Sequence, residues 1–199
     1  MLIEIPGLLN SAQLDKIHEL LASARFQDGR LTAGMAASKV KNNEELALEP
    51  ELLQRLYRVV MASVGHRAVF RSAVLPAKVA EFIFARYQPG MQYGDHVDDP
   101  IMGQGQKFRS DVSMTIFLNP PESYDGGELV IRTPFGDQMV KLPAGHAVVY
   151  PSASVHRVAE VTRGERMVAL TWIQSFVRDA ARRELLYELD QSRGHLLRT

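Results

Sequence analysis

The chain has 199 residues, a length that fits one domain with room for a sizeable core. With 46% hydrophobic and 23% charged residues it is not a disordered chain, and Lys+Arg 23 against Asp+Glu 23 leaves no basic excess for phosphate backbones, so nucleic acid is disfavoured as a main partner. The absence of cysteine excludes disulfides and thiolate metal sites. No apolar stretch spans a bilayer and no signal-peptide pattern opens the chain, so a cytoplasmic protein without a membrane partner is expected.

In chain order, the first 75 residues read as mainly helical. Asn10 with Gln13 resembles a capping box, followed by Leu14, Ile17, Leu20, Leu21 and Ala24 on one face. Pro50 opens a second helix, striped by Leu52, Leu53, Leu56, Val59 and Val60. Residues 27–44, with Gly29, Gly34, Asn42 and Asn43, read as an exposed connection between the two.

From Val79 the period becomes two. Phe82 and Phe84 alternate with Glu81, Ile83 and Ala85; Val112, Met114, Ile116 and Leu118 alternate with Ser113, Thr115 and Phe117. Short strands follow over 128–132, 138–142, 147–150, 155–161 and 166–173, separated by Asn119-Pro120-Pro121, Asp125-Gly126-Gly127, Pro143 with Gly145, and Arg163-Gly164. Residues 177–193 return to helix, with Leu185, Leu186 and Leu189 on its apolar side. The expected architecture is mainly β with flanking helices (α+β): a jelly-roll core over 76–177, an N-terminal helical support region over 1–75, and a C-terminal helical extension over 178–199.

With cysteine absent, a transition metal must find His, Asp or Glu. Tyr93-Gly94-Asp95-His96-Val97-Asp98-Asp99 contains His-x-Asp, and residues i and i+2 of an extended strand share a face. His156, opening a later strand, is the best third ligand. Two histidines and a carboxylate on one face leave opposite coordination positions free, which suits non-haem Fe(II) binding a cosubstrate and O2 together. The usual two-electron donor for such iron, 2-oxoglutarate, needs a cationic anchor, and Arg166 on the following strand can supply a bidentate guanidinium.

Arg86-Tyr87-Gln88-Pro89-Gly90 through His96-Val97-Asp98, then Asp125-Gly126-Gly127-Glu128-Leu129, His156 and Arg166, resemble the signature of prolyl-4-hydroxylase-type dioxygenases. Tyr150-Pro151-Ser152 and Thr171-Trp172-Ile173-Gln174-Ser175 are similar to the PKHD-type hydroxylases in particular. The resemblance covers roughly residues 75–177 and implies a double-stranded β-helix with Fe(II) on His96, Asp98 and His156, 2-oxoglutarate on Arg166, a hydrogen bond from Tyr87 to that cosubstrate, and ascorbate as reductant. Prolyl hydroxylases often carry Lys where this chain has Arg166, so proline is not implied as substrate.

The expected function is coupling of 2-oxoglutarate decarboxylation to hydroxylation of a small molecule or a protein side chain. The alternative is a non-catalytic sensor or scaffold of the same fold, which an intact triad argues against. A nucleic-acid demethylase would carry a second arginine six residues after the cosubstrate arginine, where this chain has Trp172. Other residues have plainer readings: Asp95 and Asp99 have the wrong parity for the His96 face, Gly126-Gly127 is turn chemistry, and Arg178, Arg182 and Arg183 form a solvated face. The end helices could form a homo-oligomer interface.

Overall fold

The computed structural model describes every residue of the chain except Ala36, Gln104 and Thr199, so the points of segments 27–44 and 178–199 that fall on Ala36 and Thr199 lie outside the described residues. Four helices are described: α1 (Ser11–Leu21), α2 (Pro50–Val64), α3 (Ala68–Val74) and α4 (Ala180–Leu196). The strands in the N-terminal half are β1 (Ile3–Ile5), β2 (Phe26–Asp28), β3 (Lys41–Asn42), β4 (Glu44–Leu46), β5 (Pro76–Val79), β6 (Ile83–Tyr87), β7 (Gln92–His96), β8 (Ile101–Met102) and β9 (Phe108–Arg109). Those that follow are β10 (Val112–Phe117), β11 (Asp125–Gly126), β12 (Leu129–Thr133), β13 (Gly136–Val140), β14 (Ala147–Pro151), β15 (His156–Val158), β16 (Val161–Arg163) and β17 (Arg166–Ser175).

A major antiparallel sheet runs β1-β14-β10-β17-β6-β4-β2, with β5 also on β17; a minor sheet runs β13-β12-β15-β7-β3. Two sheets with these crossovers form the jelly roll expected from the sequence. The alternation in β10 shows how the layers are built. Val112, Met114 and Ile116 pack with Ile17, Leu56, Val60 and Phe70 of the helices, whereas Phe117 joins Tyr87, Leu129, Ile131 and Tyr150 between the sheets. Every residue of β10 is buried because helices cover one face of the major sheet and the minor sheet covers the other.

The helix starts follow their sequence signals. Asn10 Oδ1 accepts from Gln13 N at 2.9 Å and Gln13 Oε1 accepts from Asn10 N at 3.1 Å, closing the capping box. Pro50 begins α2, where its missing N–H removes no helical bond.

Two element readings change. The first 75 residues hold three helices but also β1 to β4, and segment 27–44 is not simply an exposed connection: it runs through β2, two 3-10 turns and β3, and its Gly29 is buried. Strands of two or three residues are too short to display a period, so the sequence pattern cannot mark them. In α4, Leu185, Leu186 and Leu189 are exposed, and the buried residue is Arg183 rather than any leucine. Arg183 is no solvated charge: its guanidinium donates to the carbonyls of Val177 and Arg178, both at 2.7 Å, and of Asp111 at 3.2 Å. Two loop carbonyls just before the helix, with that of Asp111, thus solvate the buried cation in place of water. Among the described residues no helix is long and apolar enough to cross a membrane.

Candidate active site

The two sheets enclose a cavity of about 1080 Å³ whose wall includes His96, Asp98, His156, Tyr87 and Arg166. His96 and His156 stand opposite one another as paired residues of β7 and β15. One ligand atom from each of His96, Asp98 and His156 can be chosen so that all lie within 4.8 Å of one another, close enough to share a metal ion. β7 ends at His96, so Asp98 sits just past the strand rather than on it, yet its carboxylate still reaches within 3.9 Å of His156 Nε2.

Each of these side chains is oriented from behind. A carbonyl oxygen can only accept, so Nδ1 of His96 must donate to Gly94 O at 2.9 Å and Nδ1 of His156 to Ser154 O at 3.0 Å. Both rings therefore carry their proton on Nδ1 and turn the Nε2 lone pair toward the shared point. Ser113 Oγ donates to Asp98 Oδ2 at 2.5 Å. With its single proton spent there, Ser113 accepts from the Ser152 hydroxyl at 2.8 Å, so a two-serine relay fixes the carboxylate.

Electrostatics favour the ligating forms. Burial, reinforced by the neighbouring His156, lowers the His96 pKa to about 4, so its imidazole is neutral at ordinary pH. The Tyr93 ring stacks on His96 with centroids 3.6 Å apart and planes 11° apart, and Tyr150 meets His156 edge-on at 5.2 Å. Burial raises the pKa values of both tyrosines, which keeps their hydroxyls as donors.

Arg166 opens β17 on the opposite sheet, paired with Tyr87 of β6. It is 1% exposed, and neither Nε nor Nη1 has a hydrogen-bond partner. Its guanidinium lies 5.0 Å from the Tyr87 ring centroid and 5.6 Å from that of Phe117. Aromatic faces soften the burial of a cation but do not satisfy its N–H groups, and a charge so fully desolvated calls for an anion. Burial pushes the Tyr87 hydroxyl up to about 12, against the pull of the Arg166 charge, so it too remains a donor.

Sequence reasoning passed over three residues here. Gly127 is more than turn chemistry: at φ +67° it lies so near Arg166 that a Cβ would sit 2.9 Å from Arg166 Cδ. Tyr124 is buried beside it, its hydroxyl without a hydrogen bond of good geometry and its pKa raised by burial against the charge and the nearby N–H groups of Arg166. Asn43, also buried on the cavity wall, has both amide atoms unpartnered. Tyr124 and Gly127 flank the Asp125-Gly126 pair, which was their only signal; Asn43 had none. Asp95 points outward, as its parity required, and pairs with Arg132 and Arg157.

Residues 82–174 match the family model described as the 2OG-Fe(II) oxygenase superfamily. The chain is 54% identical over 192 residues to a PKHD-type hydroxylase of Thioalkalivibrio sulfidiphilus, covering 96% of this chain and 86% of that one. It is 47% identical over 195 residues to a PKHD-type hydroxylase of Paracoccus denitrificans, with 96% and 86% covered. In fold it resembles a Pseudomonas putida prolyl-4-hydroxylase, at TM-score 0.57 and 18% identity over 88% of this chain and 93% of that one. A Trichoplax adhaerens prolyl hydroxylase, solved with a hypoxia inducible factor peptide fragment, gives TM-score 0.58 at 15% identity over 87% and 83%.

Proposed function

The chain belongs to the 2OG-Fe(II) oxygenase superfamily, among its PKHD-type hydroxylases, and we propose that His96, Asp98 and His156 hold its Fe(II) while Arg166, aided by Tyr87, holds 2-oxoglutarate. The observation that carries this is the pairing of a pre-oriented His/Asp/His cluster with a fully buried arginine, unpartnered at Nε and Nη1, on the facing wall of one cavity.

Fe(II) with 2-oxoglutarate and O2 supplies the oxidant for C–H hydroxylation, with succinate and CO2 as co-products. The chain's own residues do the rest. The two imidazoles turn Nε2 toward the shared point, and Asp98 contributes a carboxylate that Ser113 holds in place. Arg166 balances the distal carboxylate of 2-oxoglutarate with a fork of N–H donors, and Tyr87 adds a hydroxyl proton. Val158, Val168 and Leu170, which also line the cavity, keep water from the reacting centre. Ascorbate fits this assignment as the reductant that returns oxidised iron to Fe(II).

The cavity mouth carries exposed Leu31, Leu48, Val97 and Ile101, a rim suited to an apolar portion of a small-molecule or protein substrate. The Trichoplax neighbour carries a peptide in such a fold, which supports the protein option.

The test is O2-dependent succinate formation from 2-oxoglutarate with Fe(II) and ascorbate, in wild type and in His156→Ala. Turnover that needs O2 and disappears in the variant supports the assignment. Undiminished turnover in His156→Ala, or failure of wild type to bind both Fe(II) and 2-oxoglutarate, would overturn it.

A further inference from the structure

We propose that Asn43 is a further 2-oxoglutarate-binding residue, donating through its amide Nδ2 to a carboxylate of the cosubstrate beside Arg166 and Tyr87. This rests on the assignment of the cosubstrate to Arg166, and it adds a contact from a part of the chain outside the motif region.

The placement begins with strand register. Arg166 faces Tyr87 across β17 and β6, and Glu44 faces Arg86 across β4 and β6. Antiparallel pairing therefore carries Asn43, one residue before Glu44, to the level of Tyr87. Asn43 occupies the one-residue gap between β3 and β4, and this register, extended by one residue, sets it level with the paired Tyr87 and Arg166, all three on the cavity wall. Burial agrees: the three are 3%, 2% and 1% exposed. That is the depth of the anchor, well below a rim where Leu31 is 72% and Leu48 is 81% exposed.

Alternation within the segment isolates Asn43. Lys41, Asn43 and Glu45 point inward, while Asn42 and Glu44 do not. Lys41 and Glu45 satisfy each other at 2.5 Å, and Thr32 bonds to both. Asn43, between them, makes no hydrogen bond of good geometry at either Nδ2 or Oδ1, although its amide comes within reach of the Tyr87 hydroxyl. Burying an unpaired amide costs free energy that native folds rarely leave uncompensated. Among the described residues, the buried side-chain nitrogens and oxygens without a partner belong to Asn43, Arg166 and Tyr124 alone. Tyr124 and Arg166 both flank Gly127, and Asn43 lies level with Arg166 on the cavity wall. The neighbouring Asn43 amide also acts on the Tyr87 hydroxyl, where it opposes the upward push of burial.

Gly29 supports the same placement. A Cβ there would lie 2.0 Å from Asn43 Oδ1, so the amide occupies space that only glycine leaves open.

The experiment titrates Mn(II), then 2-oxoglutarate, into the full-length chain by calorimetry, for wild type, Asn43→Ala, the near-isosteric Asn43→Asp, and Gly29→Ala. Mn(II) affinity reports the integrity of the distant His96/Asp98/His156 cluster. The expected result is unchanged Mn(II) affinity with 2-oxoglutarate bound about tenfold more weakly by Asn43→Ala, the scale of a hydrogen bond to a charged group. Asn43→Asp should lose more, because it sets a carboxylate against a carboxylate. Gly29→Ala, which displaces the amide without deleting it, should behave like Asn43→Ala. Wild-type affinity for 2-oxoglutarate in Asn43→Ala would mean that the amide is merely hydrated, and would overturn the inference. Parallel losses of Mn(II) and 2-oxoglutarate would mean a structural role, and would overturn it equally. If wild type itself binds Mn(II) but not 2-oxoglutarate, the parent assignment of Arg166 falls first.

Discussion

The two ends of the cavity are built on opposite principles. At the His96/Asp98/His156 end, polar groups are committed before any ligand arrives: both Nδ1 atoms bond to carbonyls, and Asp98 takes the Ser113 hydroxyl. At the Arg166 end they are left loosely bonded, with no hydrogen bond of good geometry at Nε, Nη1, the Tyr124 hydroxyl or the Asn43 amide. A metal needs lone pairs held at fixed angles, so orientation from behind raises affinity. An anion anchor, the role proposed for Arg166, needs donors that nothing else has taken, so that a bound ligand would offset the desolvation cost of leaving them free. One end is preorganised by satisfaction and the other by frustration.

The largest effect that this contrast predicts is at the committed end. His96→Ala should weaken Mn(II) or Fe(II) binding by more than about a hundredfold, beyond the 10–100-fold typical of outer partners. Metal titration checks it, and a variant that still binds at wild-type affinity would remove His96 from the set.

Next is a change whose two signs differ. Arg166→Met removes an unpaired buried charge, so the unliganded protein should become more stable, with Tm up by a few °C for roughly 1–2 kcal/mol. The same substitution should abolish stabilisation by 2-oxoglutarate, which in wild type grows with its concentration over Kd. Thermal melts with and without 2-oxoglutarate read both signs in one experiment. A drop in unliganded Tm would show that Arg166 is satisfied in ways this contrast denies.

Two intermediate effects separate the ends. Ser113→Ala frees Asp98 to rotate and should cost about tenfold in metal affinity, while leaving 2-oxoglutarate affinity of the metal-loaded protein unchanged. Gly127→Ala should do the reverse. Its Cβ would crowd Arg166 Cδ and sit at positive φ, so 2-oxoglutarate binding should weaken severalfold at near-normal metal affinity. Crossed results, with Ser113→Ala affecting 2-oxoglutarate alone, would break the comparison.

The same contrast explains what the sequence could disclose. His96 and Asp98 were picked out by the His-x-Asp spacing and the family resemblance, with Asp98 falling just past the end of β7, whereas His156 and Arg166 lie on strands that turn punctuation marks out. The jelly roll was legible for the same reason, since β10, β14 and β17 each run at least five residues. Asn43 was not, because its meaning comes from pairing β4 with β6, a contact between distant segments through a three-residue strand. Tyr124 and Gly127 were masked by a turn signature that explains Gly126-Gly127 without reference to Arg166. In α4 the leucine stripe was real as a pattern, but a stripe identifies a face and not what covers it. Arg183 took the buried position because carbonyls, rather than side chains, were waiting there.

The smallest prediction concerns the outer surface of the ligand-bearing strands. Asp95 and Arg157 are the chain neighbours of His96 and His156, and they pair at 3.4 Å on the opposite face of the minor sheet. Arg132 joins Asp95 at 2.8 Å, and Asp137 joins Arg157 at 3.1 Å, giving an alternating quartet that ties β7, β12, β13 and β15 together. All four side chains are well exposed, between 37% and 53%, so water screens them and each pair contributes little. The sheet backbone between the faces already fixes His96 opposite His156, leaving the quartet only a trimming role. Asp95→Asn should therefore change stability by less than about 1 kcal/mol and metal affinity by less than about threefold, with both changes fading near 1 M salt. Titrations at low and high salt would decide it. A tenfold loss of metal affinity, reproduced in wild type by salt alone, would mean that the committed end is held in place by exposed charges, and the division between the two ends would have to be redrawn.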